Sequence, residues 1–159
     1  MDIRAVENTV KDIVNDYLRP NDDMTLFAAQ NLAKKIRNKA NEMGVKAVIA
    51  ISNKGANPVL VECQDNSYIA SYDIALNKAY TAVSLKMSTK ELAKLANPNG
   101  SLYGIQFTNN GKIVIFGGGE PLTNNKGNII GGLGVSGGSE EQDTLLAKYG
   151  KEVFEKGLN

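Results

Sequence analysis

Histidine is absent from this chain of 159 residues. It is the commonest general base near neutral pH and the commonest metal ligand. Its absence excludes Ser-His-Asp triads, Cys-His pairs, HExxH zinc sites and His-ligated haem built from this chain alone. Tryptophan is absent too, so large aromatic stacking platforms are few. Cysteine occurs once, at Cys63, which rules out an internal disulfide and fits a reducing compartment. Net charge is close to zero, at +1, so no basic field argues for nucleic acid. No apolar run approaches the roughly 20 residues that span a bilayer. Met1-Asp2-Ile3-Arg4 lacks the apolar core of a signal peptide, so a cytoplasmic location is expected, with no membrane partner. What remains is an ordinary globular balance, 42% apolar and 22% charged, enough for one domain with a real core.

Residues 1–23 read as a separate helix and linker, and 24–159 as the main domain. In the first, Ile3, Val6, Val10, Ile13, Val14, Tyr17 and Leu18 recur at helical spacing over 3–18. Pro20-Asn21-Asp22-Asp23 follows as a linker-like turn. A second helix is expected from Met24 to Met43, capped by Asp22 or Asp23 and stopped by Gly44. Val45 to Ile51 and Pro58 to Cys63 read as strands around an Asn53-Lys54-Gly55 turn. Ile69 to Leu85 is apolar at helical spacing, and Ser88 with Glu91 is a capping box opening a short helix. Asn109-Asn110-Gly111 between Tyr103–Phe107 and Lys112–Phe116 predicts a hairpin. Asn128 to Val135 reads as the last strand, and Ser139 with Gln142 caps a terminal helix. This order lacks regular βαβ alternation. It predicts an α+β fold, an antiparallel sheet of about five strands flanked by helices.

Two glycine clusters stand out. Gly132-Leu133-Gly134-Val135-Ser136-Gly137 matches G-x-G-x-x-G, but it lies within a strand. The helix after it opens with Glu140 and Glu141, which repel a pyrophosphate. A strand packed closely under a helix or a partner subunit explains it more simply. Gly117-Gly118-Gly119 with Pro121 is the second, and its backbone N–H groups could cradle an anion. The plain alternative is a flexible loop. Lys78 and Thr81 share one helix face, where a lysine either meets an anionic ligand or is simply solvated. Glu62, Cys63 and Asp65 cluster at a strand end, but Glu62 and Cys63 point to opposite faces.

The motifs in order resemble the GlcG/HbpS-like family, which includes the C-terminal domain of the cobalamin adenosyltransferase PduO. They are Ala75-Leu76-Asn77-Lys78-Ala79-Tyr80-Thr81-Ala82, Ser88-Thr89-Lys90-Glu91-Leu92, Gly117-Gly118-Gly119-Glu120-Pro121 and Ile130 through Gly138, with Glu141-Gln142-Asp143 after them. The resemblance implies a profilin-like fold and a homo-oligomer. It carries over no catalytic residue. Some members bind haem and others accompany cobalamin or diol enzymes, but haem ligation by histidine has no residue here. No cofactor is therefore predicted. If haem or cobalamin binds, Cys63, the tyrosines and Met24, Met43 and Met87 are the ligands left. Many members carry an Asp and an Arg in the first hairpin, where Ser52 and Glu62 stand here. Val6 through Val14 resembles the encapsulation peptides of bacterial microcompartment enzymes, which implies a shell or enzyme partner for residues 3–18.

The reading that follows is a non-enzymatic small-molecule-binding or accessory module, associated with a diol- or cobalamin-linked microcompartment. Its ligand would sit at Lys78, Thr81, Gly117, Gly118, Gly119 and Pro121, with Glu62 as a further carboxylate. The alternative is an enzyme using Glu62, Asp65 and Lys78 as acid–base groups on a small metabolite.

Overall fold

The structure, a computed structural model, describes residues 3–18 and 22–157. Helix α1 (Ile3–Leu18) has the bounds that its periodicity predicts, and its stripe at Ile3, Val6, Val10, Ile13 and Val14 is exposed. Pro20 and Asn21 of the expected linker, and the side chains of Tyr17 and Leu18, lie outside the described residues.

Helix α2 (Leu26–Glu42) is capped by Thr25, whose Oγ1 accepts from the Ala28 N–H, and not by either aspartate. Asp23 is engaged elsewhere, accepting from the N–H groups of Met24 and Lys54. The helix stops where Gly44 turns left-handed. Val45 N–H then reaches Ala40 O and Gly44 N–H reaches Asn41 O, so the last carbonyls are not orphaned.

Strands β1 (Val48–Asn53), β2 (Pro58–Cys63), β3 (Gly119–Thr123) and β4 (Ile129–Ser136) form one antiparallel sheet in the order β2-β1-β4-β3. The α+β class is as expected, but with four strands and not five. The predicted hairpin at 103–116 is absent: Ile105–Phe107 and Asn109–Gly111 are single 3₁₀ turns. Asn109, Asn110 and Gly111 do adopt the left-handed conformation that the Asn-Gly signal demands. Their flanks do not pair because Val114 N–H donates to Thr81 Oγ1, and Tyr103 and Phe107 turn outward.

Side chains alternate across the sheet. Ile49, Ile51, Leu133 and Val135 face one layer, made by α2 and α5 (Glu140–Lys156) through Leu32, Ile36, Leu146 and Phe154. Each such buried side chain contributes about 1.5–3 kcal/mol. Val48 and Ala50 face the other way, onto Ala75 and Ala79 of α3 (Ser71–Leu85). Here Gly132 and Gly134 lie beneath the helix backbone. A Cβ on Gly134 would stand 1.9 Å from Ala75 O, and one on Gly132 2.5 Å from Ala79 O. The glycine pattern is thus a packing surface that lets α3 rest directly on the sheet.

Candidate functional site

Both capping boxes form as read. Ser88 opens α4 (Thr89–Leu95) with Glu91, and Ser139 opens α5 with Gln142. The second places Asp143 in the first turn of α5, facing α3. There it meets Lys78, which is held at depth because α3 sits so low on the glycines.

Lys78 is not solvated: its side chain is 0% exposed. Its ammonium donates to Asp143 Oδ2 (2.9 Å) and to Val135 O (2.8 Å), and lies over the Phe116 ring at 5.0 Å. Asp143 Oδ1 also accepts from the Gly138 N–H. Burial pulls the Lys78 pKa down and pushes that of Asp143 up, while each charge holds its partner ionised. With two acceptors and a ring face around the ammonium, the pair is a salt bridge in the interior.

The Gly117–Gly119 loop wraps this pair. Gly118 has φ +112, and a Cβ there would stand 2.6 Å from Lys78 Nζ, so only glycine fits. Two of the donors expected to cradle an anion are already used. Gly117 N–H donates to Glu140 Oε1 (3.0 Å), and Gly119 N–H to Thr89 Oγ1 (2.9 Å). Glu140 also pairs with Lys90, and that contact, then the Gly117 N–H, hold its carboxyl below the usual range. Thr81 donates to Asn77 O and accepts from Val114 N–H, pinning the 112–114 segment to α3. Pro121 lies on β3, and its carbonyl accepts from Lys151 Nζ (2.7 Å).

The structure therefore gathers Lys78 and Gly117–Gly119 around one node, with Thr81 bonded instead to the 112–114 segment and Pro121 at the margin. Glu62 is not part of it. It lies on the opposite edge strand, pairs in register with Ile49 and so faces α2, where Arg37 holds it at 2.9 Å. Cys63 is exposed. Sequence reasoning missed Asp143 and Phe116. The signal for Asp143 was there: an acid one position past the capping box, whose own cap role falls to Gln142.

A family model described as haem degrading protein HbpS-like matches residues 24–152. The chain belongs to the HbpS-like family. An uncharacterized 15.0 kDa protein in the dhaT-dhaS intergenic region of Citrobacter freundii is 45% identical over 131 residues, 82% of this chain and 92% of that protein. The corrinoid adenosyltransferase PduO of the same organism is 38% identical over 110 residues, 69% of this chain but 32% of PduO. The chain thus spans about a third of that enzyme's length. A solved PduOC:heme complex superposes with a TM-score of 0.78 at 32% identity, covering 82% of this chain and 94% of that one.

Ser52 pairs in register with Gly132 on the α3 face, and its Oγ is buried with no hydrogen-bond partner among the described residues. Glu62 lies on the other face, so the two do not build one site. No group of three or more His, Cys, Asp or Glu that could hold a metal ion occurs among the described residues. No helix among them is long and apolar enough to cross a membrane.

Proposed function

We propose that this HbpS-like chain is a non-enzymatic small-molecule-binding accessory module that works beside enzymes of cobalamin or diol chemistry. The observation that carries this reading is the burial of Lys78, the cation at the centre of the candidate site. Of the three groups read for acid–base work, Lys78 is wholly buried in an ion pair at 2.9 Å, Glu62 is paired with Arg37 at 2.9 Å, and Asp65 lies exposed after the end of β2. A group held in an ion pair is a poor proton carrier. The relationship to PduO and to a protein of the dhaT-dhaS region supports the association.

The ligand class that the relatives support is a tetrapyrrole, since PduOC holds haem. The residues here restrict how haem would be held. Met24 is buried in the core and unavailable. Cys63 is exposed at the end of β2, and the segment after it presents Tyr68, Ile69 and Tyr72 to solvent. An exposed sulfur followed in the chain by exposed apolar side chains suits a haem edge, and bound haem would supply redox-active iron. Haem and cobalamin absorbance titrations of the wild type and Cys63→Ala test this. A Soret shift with a rise in Tm, lost in Cys63→Ala, is expected. No shift in the wild type refutes the tetrapyrrole reading.

A second reading concerns partners. The exposed stripe of α1 suits docking into an apolar groove, such as that of a microcompartment shell or an enzyme inside it. Exposed Tyr103, Phe107 and Ile69 suit contacts between copies in a homo-oligomer. Light scattering, and shell co-localisation of a fluorescent fusion in wild type and Val6→Asp/Val10→Asp, separate the two. A fusion that stays diffuse in shell-producing cells refutes the shell role.

A further inference from the structure

One side chain of β3 lies outside everything described so far. Glu120 pairs in register with Leu133 and shares a face with Leu122, so it faces the α5 side at a register otherwise apolar. It is 7% exposed, and among the described residues it makes no hydrogen bond and no ion pair. It lines a cleft of about 490 Å³ bordered by α4, α5 and β3. Burial is the largest influence on its carboxyl and pushes the pKa up to about 6, against Lys151 and Lys148 on α5 and with Glu91 and Glu155.

The other charges of the cleft fall into two sets. Lys90 is taken by Glu140 and Lys151 by Glu155, and Glu91 closes the capping box of α4. Lys86, Lys94 and Lys148 line the same cleft with no ion pair among the described residues. Exposed lysines alone are ordinary solvated surface. Glu120 is not: the residue is only 7% exposed, yet no donor among the described residues meets its carboxylate, which depends on whatever fills the cleft. Such groups recur where a ligand completes the set.

We propose that this cleft binds a small zwitterion, an organic acid that carries an amino group. Its ammonium donates to Glu120, and its carboxylate or phosphate faces Lys86, Lys94 and Lys148. The cleft has room for a molecule of amino-acid size together with water. The proposal shares no residue with the haem reading, so either stands without the other.

The test uses the full-length protein in calorimetry and thermal shift. The probes are β-alanine, glutamate and phosphoethanolamine, against propionate (acid only) and ethylamine (amine only). At least one zwitterion is expected to bind and raise Tm, more strongly than either half-ligand. Glu120→Gln, which keeps the shape and removes the buried charge, is expected to weaken binding by about tenfold or more, as loss of a charge-assisted hydrogen bond does. Lys148→Met is expected to weaken it as well. NMR titration of the Glu120 carboxyl gives an independent readout: a bound ammonium lowers its pKa. No zwitterion bound by the wild type, or equal binding by Glu120→Gln, overturns the proposal. So does a change of oligomeric state in Glu120→Gln, which makes the cleft a contact between copies. The Soret titration of Glu120→Gln is read separately, so failure here is distinguishable from failure of the tetrapyrrole reading.

Discussion

Removing either half of the Lys78–Asp143 pair leaves the other charged and buried. The side chains are 0% and 6% exposed, so water cannot replace the missing partner. Each single variant, Lys78→Met and Asp143→Asn, should therefore lose about 3–5 kcal/mol near neutral pH. The two losses should respond to pH in opposite directions. In Lys78→Met, the Asp143 carboxyl loses its cation, and its folded pKa climbs further above the ordinary value of 3.8. Wherever the unfolded chain ionises that group, the fold is penalised. The loss should be small at acid pH and grow as pH rises past about 4. In Asp143→Asn, the Lys78 ammonium loses its anion, and its folded pKa falls further below 10.5. That loss should be full near neutral pH and fade as pH rises toward the ordinary lysine value. The double variant should be less destabilised than the sum, by about 2 kcal/mol or more, since neither charge is stranded. Recovery is incomplete because Val135 O has lost its donor. Urea unfolding across pH measures all three. Single losses under about 1 kcal/mol, or the same pH trend in both, would refute the account of a desolvated ion pair.

Glu120→Gln should stabilise the ligand-free protein by about 1 kcal/mol at neutral pH, because burial raises this carboxyl to about 6 and solvent in the cleft screens part of that cost. A raised carboxyl loses stability as pH climbs through that range, so the gain should vanish below about pH 4.5, and unfolding at two pH values checks it. Gly134→Ala should cost about 3 kcal/mol or more, because its Cβ would stand 1.9 Å from a helix carbonyl and α3 must lift; a midpoint shift in denaturant measures it. Thr81→Val should cost about 1–3 kcal/mol by stranding the Val114 N–H, and hydrogen exchange at Val114 should accelerate.

Much of the fold is legible in the sequence because local chemistry agrees with it. The two capping boxes, Gly44 and the stripe of α1 announce themselves by spacing alone. The hairpin at 103–116 misleads because Asn109-Asn110-Gly111 fixes backbone angles but not the pairing of what flanks it. That pairing is set by Thr81, distant in sequence, which takes the Val114 N–H. The site was legible only in outline. Lys78 looks like a surface lysine until β4 is known to be floored with glycine at 132 and 134, which sinks α3 and the lysine with it. Glu120 hid for another reason. Its strand begins at Gly119, inside a cluster that reads as a break, so its core-facing register was not visible.

The outer edge of β3 has a consequence for self-association. Its outward-facing residues are Gly119, Pro121 and Thr123, and no free N–H is left among them. Gly119 N–H goes to Thr89, Pro121 has no N–H and gives its carbonyl to Lys151, and Thr123 N–H goes to Glu155. A sheet edge normally offers a template on which another chain can add a strand. Here the template is already filled by side chains of α4 and α5. Copies of this protein that meet along β3 find no free outward N–H to pair with, so extending the sheet from one copy to the next is disfavoured on that side.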